Sequence, residues 1–150
     1  MTAVNQLSEA VQTPVFTADY AVSFGDCDPV GIVFYPRIFA WLDRTFHAYL
    51  TAAAGGHKAI CKALNARGTG LMNADCQFRS PLTEGDTLSV DMASVEWRDR
   101  AFQVNYEGHV AGRLAFKGTE TRALFVEKDG RMTAGDIAPL KAALEGGQHG

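Results

Sequence analysis

Between Val15 and Phe24 the chain alternates: Phe16, Ala18, Tyr20, Val22 and Phe24 fall on one face, Thr17, Asp19 and Ser23 on the other. A period of two predicts a half-buried strand. From about Pro36 to Ala54 the period lengthens. Ile38, Trp41, Leu42, Thr45, Phe46, Tyr49 and Ala53 recur at spacings of three and four, with Arg37, Ala40, Asp43, Arg44, His47 and Thr51 opposite. That is one apolar side of a helix, stopped by Gly55-Gly56. Residues 57–70 suggest a second, short helix ending at Gly68. The rest reads as strands. Ala74, Cys76 and Phe78 alternate with polar neighbours, then Leu88, Val90 and Met92, with a slip of phase to Val95 and Trp97 that predicts a bulge. Phe102, Val104 and Tyr106 follow, then a long strand from Leu114 to about Val126, a turn at Lys128-Asp129-Gly130 and a short helix over 138–144.

The order is strand, long helix, then four strands in hairpin succession. It predicts an α+β fold, a mostly antiparallel sheet packed on one long helix. One such layer leaves sheet edges and an apolar surface uncovered, so at least a dimer is expected. Residues 1–14 read as a polar leader, and residues 15–150 as a single domain.

Composition narrows the function classes. The 150 residues carry a formal net charge of −3, with 47% apolar and 21% charged positions. There is no basic surplus for nucleic acid, no signal peptide and no run long enough to span a membrane. Cys27, Cys61 and Cys76 are odd in number and form no CxxC pair, which points to a reducing, cytoplasmic setting. Neither a metal site nor a thiol nucleophile is supported, and no dinucleotide fingerprint or GxSxG pattern occurs. His47 and His57, without a carboxylate or cysteine at ligand spacing, His109 at a strand end and His149 in the tail read as surface or packing residues.

The chemistry is concentrated in Gly25-Asp26-Cys27-Asp28-Pro29-Val30-Gly31-Ile32-Val33-Phe34-Tyr35-Pro36, which joins the first strand to the long helix. Free N–H groups at a helix N-terminus can bind the oxyanion that forms when a carbonyl is attacked. Pro36 suits the first helical turn, so the Tyr35 N–H just before it is a candidate donor. A carboxylate beside such a donor is a minimal acyl-transfer site. A thioester is its least demanding substrate, because a thiolate leaves without strong acid help. From the residues alone, Asp26 and Asp28 are equal candidates, and either could simply cap or fold the loop.

This loop closely resembles the nucleophile loop of the 4-hydroxybenzoyl-CoA thioesterase family of hotdog-fold proteins. The likeness extends into Phe39-Ala40-Trp41-Leu42-Asp43 and returns at Val95-Glu96-Trp97-Arg98-Asp99-Arg100-Ala101-Phe102. The resemblance implies a sheet wrapped round the long helix, and dimers or tetramers with sites at subunit interfaces. It implies that Asp28, the second aspartate, is catalytic, and that the Tyr35 N–H polarises the thioester carbonyl. Asp26 is left to fold the loop. Pro36 matches the members acting on aromatic acyl groups; short-chain members carry His there. Asp43 matches a residue near the acyl pocket in those members, and Phe34 stands where they have Trp. A solvated helix face and core packing are the competing readings for these two. Arg98 and Arg100 resemble a cluster that contacts CoA phosphates, interrupted here by Asp99. No cofactor is expected, since coenzyme A arrives with the substrate. The expected function is hydrolysis of an aromatic acyl-CoA such as benzoyl- or 4-hydroxybenzoyl-CoA. A short-chain aliphatic thioesterase, a hydratase and a non-catalytic CoA or acyl-carrier binding module are the rivals.

Overall fold

The computed structural model describes residues 13–147. Most of the expected leader, residues 1–12, lies outside them. The elements are β1 (Phe16–Ala21), α1 (Tyr35–Ala54), α2 (His57–Leu64), β2 (Gly68–Phe78), β3 (Thr87–Trp97), β4 (Phe102–Val110), β5 (Arg113–Lys128), β6 (Arg131–Ala134) and α3 (Ala138–Gly147). One antiparallel sheet runs in the order β1-β3-β4-β5-β2, with β6 added to β5. The α+β expectation stands, with corrections to its topology. Of the four strands expected in succession only β3, β4 and β5 follow as hairpins, and β6 extends that run. β2 crosses to the far side of the sheet and pairs with β5. The sequence reading missed β6, which returns from a two-residue turn at Asp129-Gly130, both at positive φ.

The helix is the sheet's partner. Ile38, Trp41, Leu42, Thr45, Phe46, Tyr49 and Leu50 are buried on α1. They meet Leu88, Val90 and Met92 of β3, Phe102, Val104 and Tyr106 of β4, and Phe116 of β5 in one core. Each such large side chain contributes roughly 1.5–3 kcal/mol by leaving water. Gly118 lets the helix lie close: a Cβ there would sit 2.9 Å from Leu42 Cδ1. α1 stops because Gly55 takes the left-handed conformation, φ 85°, while the Gly56 N–H donates to the Leu50 carbonyl at 3.1 Å. The bulge expected in β3 lies between Met92 and Ser94.

Three local readings are corrected. β1 ends at Ala21, and Phe24 is 78% exposed rather than on the buried face, because the chain coils into a tight turn over Phe24–Asp26. α2 ends at Leu64, capped by Asn65 at φ 52°, and Gly68 begins β2 instead of ending the helix. On β2, Phe78 and the bulged Met72 are exposed despite their apolar character. This strand is an edge, with no further strand beyond it among the described residues.

Candidate active site

The loop between β1 and α1 is built by its aspartates. Asp26 folds it, as expected. Its Oδ2 accepts the Ser23 N–H at 2.9 Å and the Ser23 hydroxyl at 3.2 Å, and Arg37 lies 3.7 Å from Oδ1. Beyond it a pinched turn forms. Cys27 bridges Val33, the Asp28 N–H donates to the Ile32 carbonyl at 2.9 Å, and the Gly31 N–H donates to the Asp28 carbonyl at 2.9 Å. Pro29 supplies the fixed φ this turn wants, and Gly31 the positive φ, at 95°. The Val33 N–H ties the loop to the Leu82 carbonyl at 2.8 Å.

Asp28 is half-buried in this turn. Its Oδ1 accepts the Val30 N–H at 2.9 Å, an Asx turn that orients the carboxylate and leaves Oδ2 without a protein partner among the described residues. It lines a cleft of about 420 Å³ with Phe24, Cys27, Pro29, Gly31 and Glu84. Tyr35 opens α1, with Pro36 in the first turn. The Phe34 and Arg37 N–H groups are satisfied by the Asp26 and Phe34 carbonyls, whereas the Tyr35 N–H takes no backbone partner among the described residues. Tyr35 lines a neighbouring cleft of about 290 Å³ with Ile32, Ile38 and Phe78. The two candidate groups therefore line different clefts, Asp28 with Gly31 and Tyr35 with Ile32, instead of sharing one cavity in the single chain.

Cys27 is no rival nucleophile: its thiol points back at the Ser23 carbonyl, 3.7 Å away, not at a histidine. Burial, then the charge of Asp75, pushes the Cys76 thiol up to about 11, and burial raises that of Cys61. Among the described residues no group of three or more side chains could hold a metal ion. The reading of the helix histidines needs correction. His47 lies 3.5 Å from Asp43, and His57 lies 3.7 Å from Cys61, each one helical turn apart.

Phe34 is 50% exposed, its ring 5.4 Å from that of Tyr35. Asp43 is exposed yet not merely solvated: its Oδ1 accepts from Arg122 Nη2 at 2.8 Å. Arg122 belongs to a buried network that the sequence reading missed. Its Nε donates to Glu120 at 3.0 Å, its Nη1 to the Thr69 carbonyl at 3.0 Å, and the Tyr106 hydroxyl donates to Glu120 at 2.6 Å. The guanidinium also lies over the Phe46 ring, 4.3 Å from its centre. Burial works against the Arg122 charge, but the hydrogen bond and charge of Glu120, with Asp43, more than offset it and raise its pKa. Burial, helped by Arg122 and His57, lowers the pKa of His47 against the opposing pull of Asp43. The missed signal was available. Phe116, Gly118, Glu120, Arg122 and Leu124 alternate along β5, so two charges fall on its inward face.

Arg98 and Arg100 sit in the β3–β4 turn, held by Gln103 at 2.8 Å and the Ala134 carbonyl at 3.0 Å. The Asp28 cleft reaches Glu84, just before the other end of β3. The two sites are thus separated along an 11-residue strand, about 33 Å at ~3.3 Å per residue. The single chain does not bring the arginines to Asp28.

Residues 22–145 match the family model described as the thioesterase-like superfamily. The chain belongs to the thioesterase-like superfamily. A 4-hydroxybenzoyl-CoA thioesterase of Pseudomonas sp. (strain CBS-3) is 28% identical over 87 residues, 57% of this chain and 62% of that relative's length. The matched stretch therefore spans about three fifths of that relative. The structure of 4-hydroxybenzoyl-CoA thioesterase from the same strain superposes with a TM-score of 0.75 at 22% identity, covering 89% of this chain and 99% of that one. A gentisyl-coenzyme A thioesterase structure gives 0.68 at 26% identity, covering 86% and 98%. The curled sheet on its central helix is the hotdog fold that the resemblance implied. Among the described residues of this superfamily member, no helix is long and apolar enough to cross a membrane.

Proposed function

We propose that this thioesterase-superfamily chain hydrolyses an aromatic acyl-CoA to the free acid and CoA, with Asp28 as the reacting carboxylate. The Asp28 turn carries the reading. It fixes a half-buried carboxylate by one oxygen, leaves the other open, and leads into a 20-residue helix whose Tyr35 N–H is open. Oδ2 either attacks the thioester carbonyl carbon or takes the proton of a water that does. Negative charge then moves onto the carbonyl oxygen, where the Tyr35 N–H and the positive end of α1 stabilise it. Collapse expels the CoA thiolate. After direct attack, water cleaves the acyl–Asp28 anhydride and returns the carboxylate. The thioester would lie where the two clefts adjoin, at the neighbouring residues Gly31 and Ile32.

An aromatic acyl group is supported by the 4-hydroxybenzoyl-CoA and gentisyl-CoA relatives, and by Phe34 and Tyr35 beside the oxyanion donor. Asp43 lies farther along the same helix, toward the end of the acyl pocket. Arg98 and Arg100, remote from their own Asp28, would hold CoA phosphates for a site on a partner. A homodimer, or a homotetramer of two, is supported by the open edge of β2 and the exposed Leu71, Met72 and Phe78 on it. The reaction calls for no cofactor, and three free cysteines suit the cytoplasm.

The test is thiol release over a panel of aromatic and aliphatic acyl-CoAs. Asn at 28 keeps the oxygen that accepts the Val30 N–H, so Asp28→Asn should fold. It should lose about 10²–10⁴-fold in kcat, while replacing Arg98 and Arg100 with Ala raises KM. Full activity in folded Asp28→Asn would refute the mechanism. Faster release from aliphatic substrates would favour the short-chain alternative, and CoA binding without release would favour the binding module.

A further inference from the structure

We propose that Glu84 is a second catalytic residue: from the wall of the Asp28 cleft it takes the proton of the water that hydrolyses an acyl–Asp28 anhydride, which assigns Asp28 the part of nucleophile. The inference rests on the thioesterase reading above and deepens it.

Asp28 and Glu84 line the same cleft of about 420 Å³. Their backbones are locked together. Cys27, beside Asp28, bridges Val33, and the Val33 N–H donates to the carbonyl of Leu82, two residues before Glu84. Two strand spacings therefore separate the segments that carry the carboxylates, about 10 Å. Glu84 stands in a pinned turn. Asp86 Oδ2 accepts the Thr83 N–H at 2.9 Å, the Gly85 N–H donates to the Val22 carbonyl at 2.9 Å, and the Val22 N–H donates to the Asp86 carbonyl at 2.9 Å.

The two carboxylates differ in how they are held. Asp28 is tied by Oδ1 to the Val30 N–H, which aims Oδ2 as an attacking atom must be aimed. Glu84 is exposed, and its carboxylate takes no hydrogen bond or ion pair among the described residues. A base that collects protons and returns them to solvent needs that freedom. Of the other lining residues only Cys27 titrates, and its thiol is spent on the Ser23 carbonyl.

Charge sorts what enters from each side. The Asp28 cleft is lined by two carboxylates and no cation, the Tyr35 cleft by Arg79 and no carboxylate. The phosphates of CoA are repelled from the first and drawn toward the second. The Asp28 cleft is thus left to water, with room for several molecules at about 30 Å³ each. Attack by Oδ2 forms the anhydride and expels the CoA thiolate. It also removes the Asp28 charge, so Glu84 becomes the one carboxylate lining the cleft. A water oxygen then bonds to the acyl carbon as its proton passes to Glu84. The bond from that carbon to Asp28 breaks, and its electron pair restores the Asp28 carboxylate. Glu84 gives the proton to solvent, from which the thiolate takes one.

The experiment follows thiol release by rapid mixing with the acyl-CoA that wild type cleaves fastest in the panel above. Glu84→Gln should release a burst of about one thiol per site, then turn over about 10²-fold more slowly than wild type. Acid-quenched Glu84→Gln should carry the acyl mass on the peptide containing Asp28. Glu84→Asp keeps the carboxylate on a shorter arm and should recover part of the turnover. The melting temperature of Glu84→Gln should match wild type, since the side chain holds nothing in place. A kcat for Glu84→Gln within about twofold of wild type would overturn the inference. So would slowed turnover with neither a burst nor an acylated peptide. Either result leaves the thioesterase reading standing. Failure of wild type to release thiol from any acyl-CoA in the panel would instead remove that reading, and the inference with it.

Discussion

Arg122→Met alone should be among the most damaging single changes in this core, for a reason visible in its partner. The Arg122 and Glu120 side chains are only 3% and 2% exposed. Removing the guanidinium leaves Glu120 facing apolar neighbours with the Tyr106 hydroxyl as its remaining partner, and the Thr69 carbonyl loses a donor. Breaking a buried pair from one side costs about 3–5 kcal/mol. Against a total stability of about 5–15 kcal/mol, that is a large share. At about 2–4 °C per kcal/mol for a chain of this size, the melting temperature should fall by about 6–20 °C. The Tyr106→Phe, Glu120→Leu, Arg122→Met triple variant leaves nothing charged behind and should recover most of the loss. Urea unfolding with a common m-value measures both. A midpoint for Arg122→Met within about 1 kcal/mol of wild type, or a triple variant as unstable as the single, would refute this account of the network.

Two further outcomes follow from features outside that network's interior. Leu71→Arg places charge on the open β2 edge and should shift the protein toward monomer in sedimentation velocity; an unchanged assembly would place the interface elsewhere. His47 has its pKa lowered from the ordinary 6.5, so the folded chain binds this proton less tightly than the unfolded one. The stability it contributes is fully present above about pH 6.5 and is lost as the pH falls through its lowered value. His47→Gln should therefore flatten the acid limb of the unfolding midpoint between about pH 7 and 5, and an identical pH profile would contradict the assignment.

Much of this was legible in the chain, and the failures share a cause. The α1 face was readable because helix periodicity and burial coincide: Ile38, Trp41, Leu42, Thr45, Phe46 and Tyr49 are all buried. β3 and β4 were readable because each buries one face. β2 misled because strand pairing is a tertiary choice. Its pattern says strand, but only the crossover shows that it lies beside β5 and not β3. Phe24 misled because alternation continues past the last ladder bond, and a Ser23–Asp26 turn, not hydrophobicity, ends the strand. At the site, Asp26 and Asp28 could not be separated by composition, since both residues favour caps and turns. The structure separates their geometry: Asp26 spends its oxygens on Ser23 and Arg37, while Asp28 keeps one open. Glu120 and Arg122 were hidden inside a strand judged by its apolar residues alone.

The Asx turn at Asp28 has a consequence for anyone reading variants of this protein. One carboxylate oxygen is a structural tie and the other is, in the proposed mechanism, the reagent, so the position would have two jobs that most substitutions abolish together. Ala at 28 would unlatch the Val30 N–H and let the loop, and with it the approach to α1, lose its shape; a dead enzyme would then say nothing about chemistry. Glu would keep the charge but carry it one carbon too far to close the same ring of atoms. Asn divides the two jobs most closely, since it keeps the accepting oxygen at the same reach. A screen that samples this position without Asn would score it as essential and leave the reason unread.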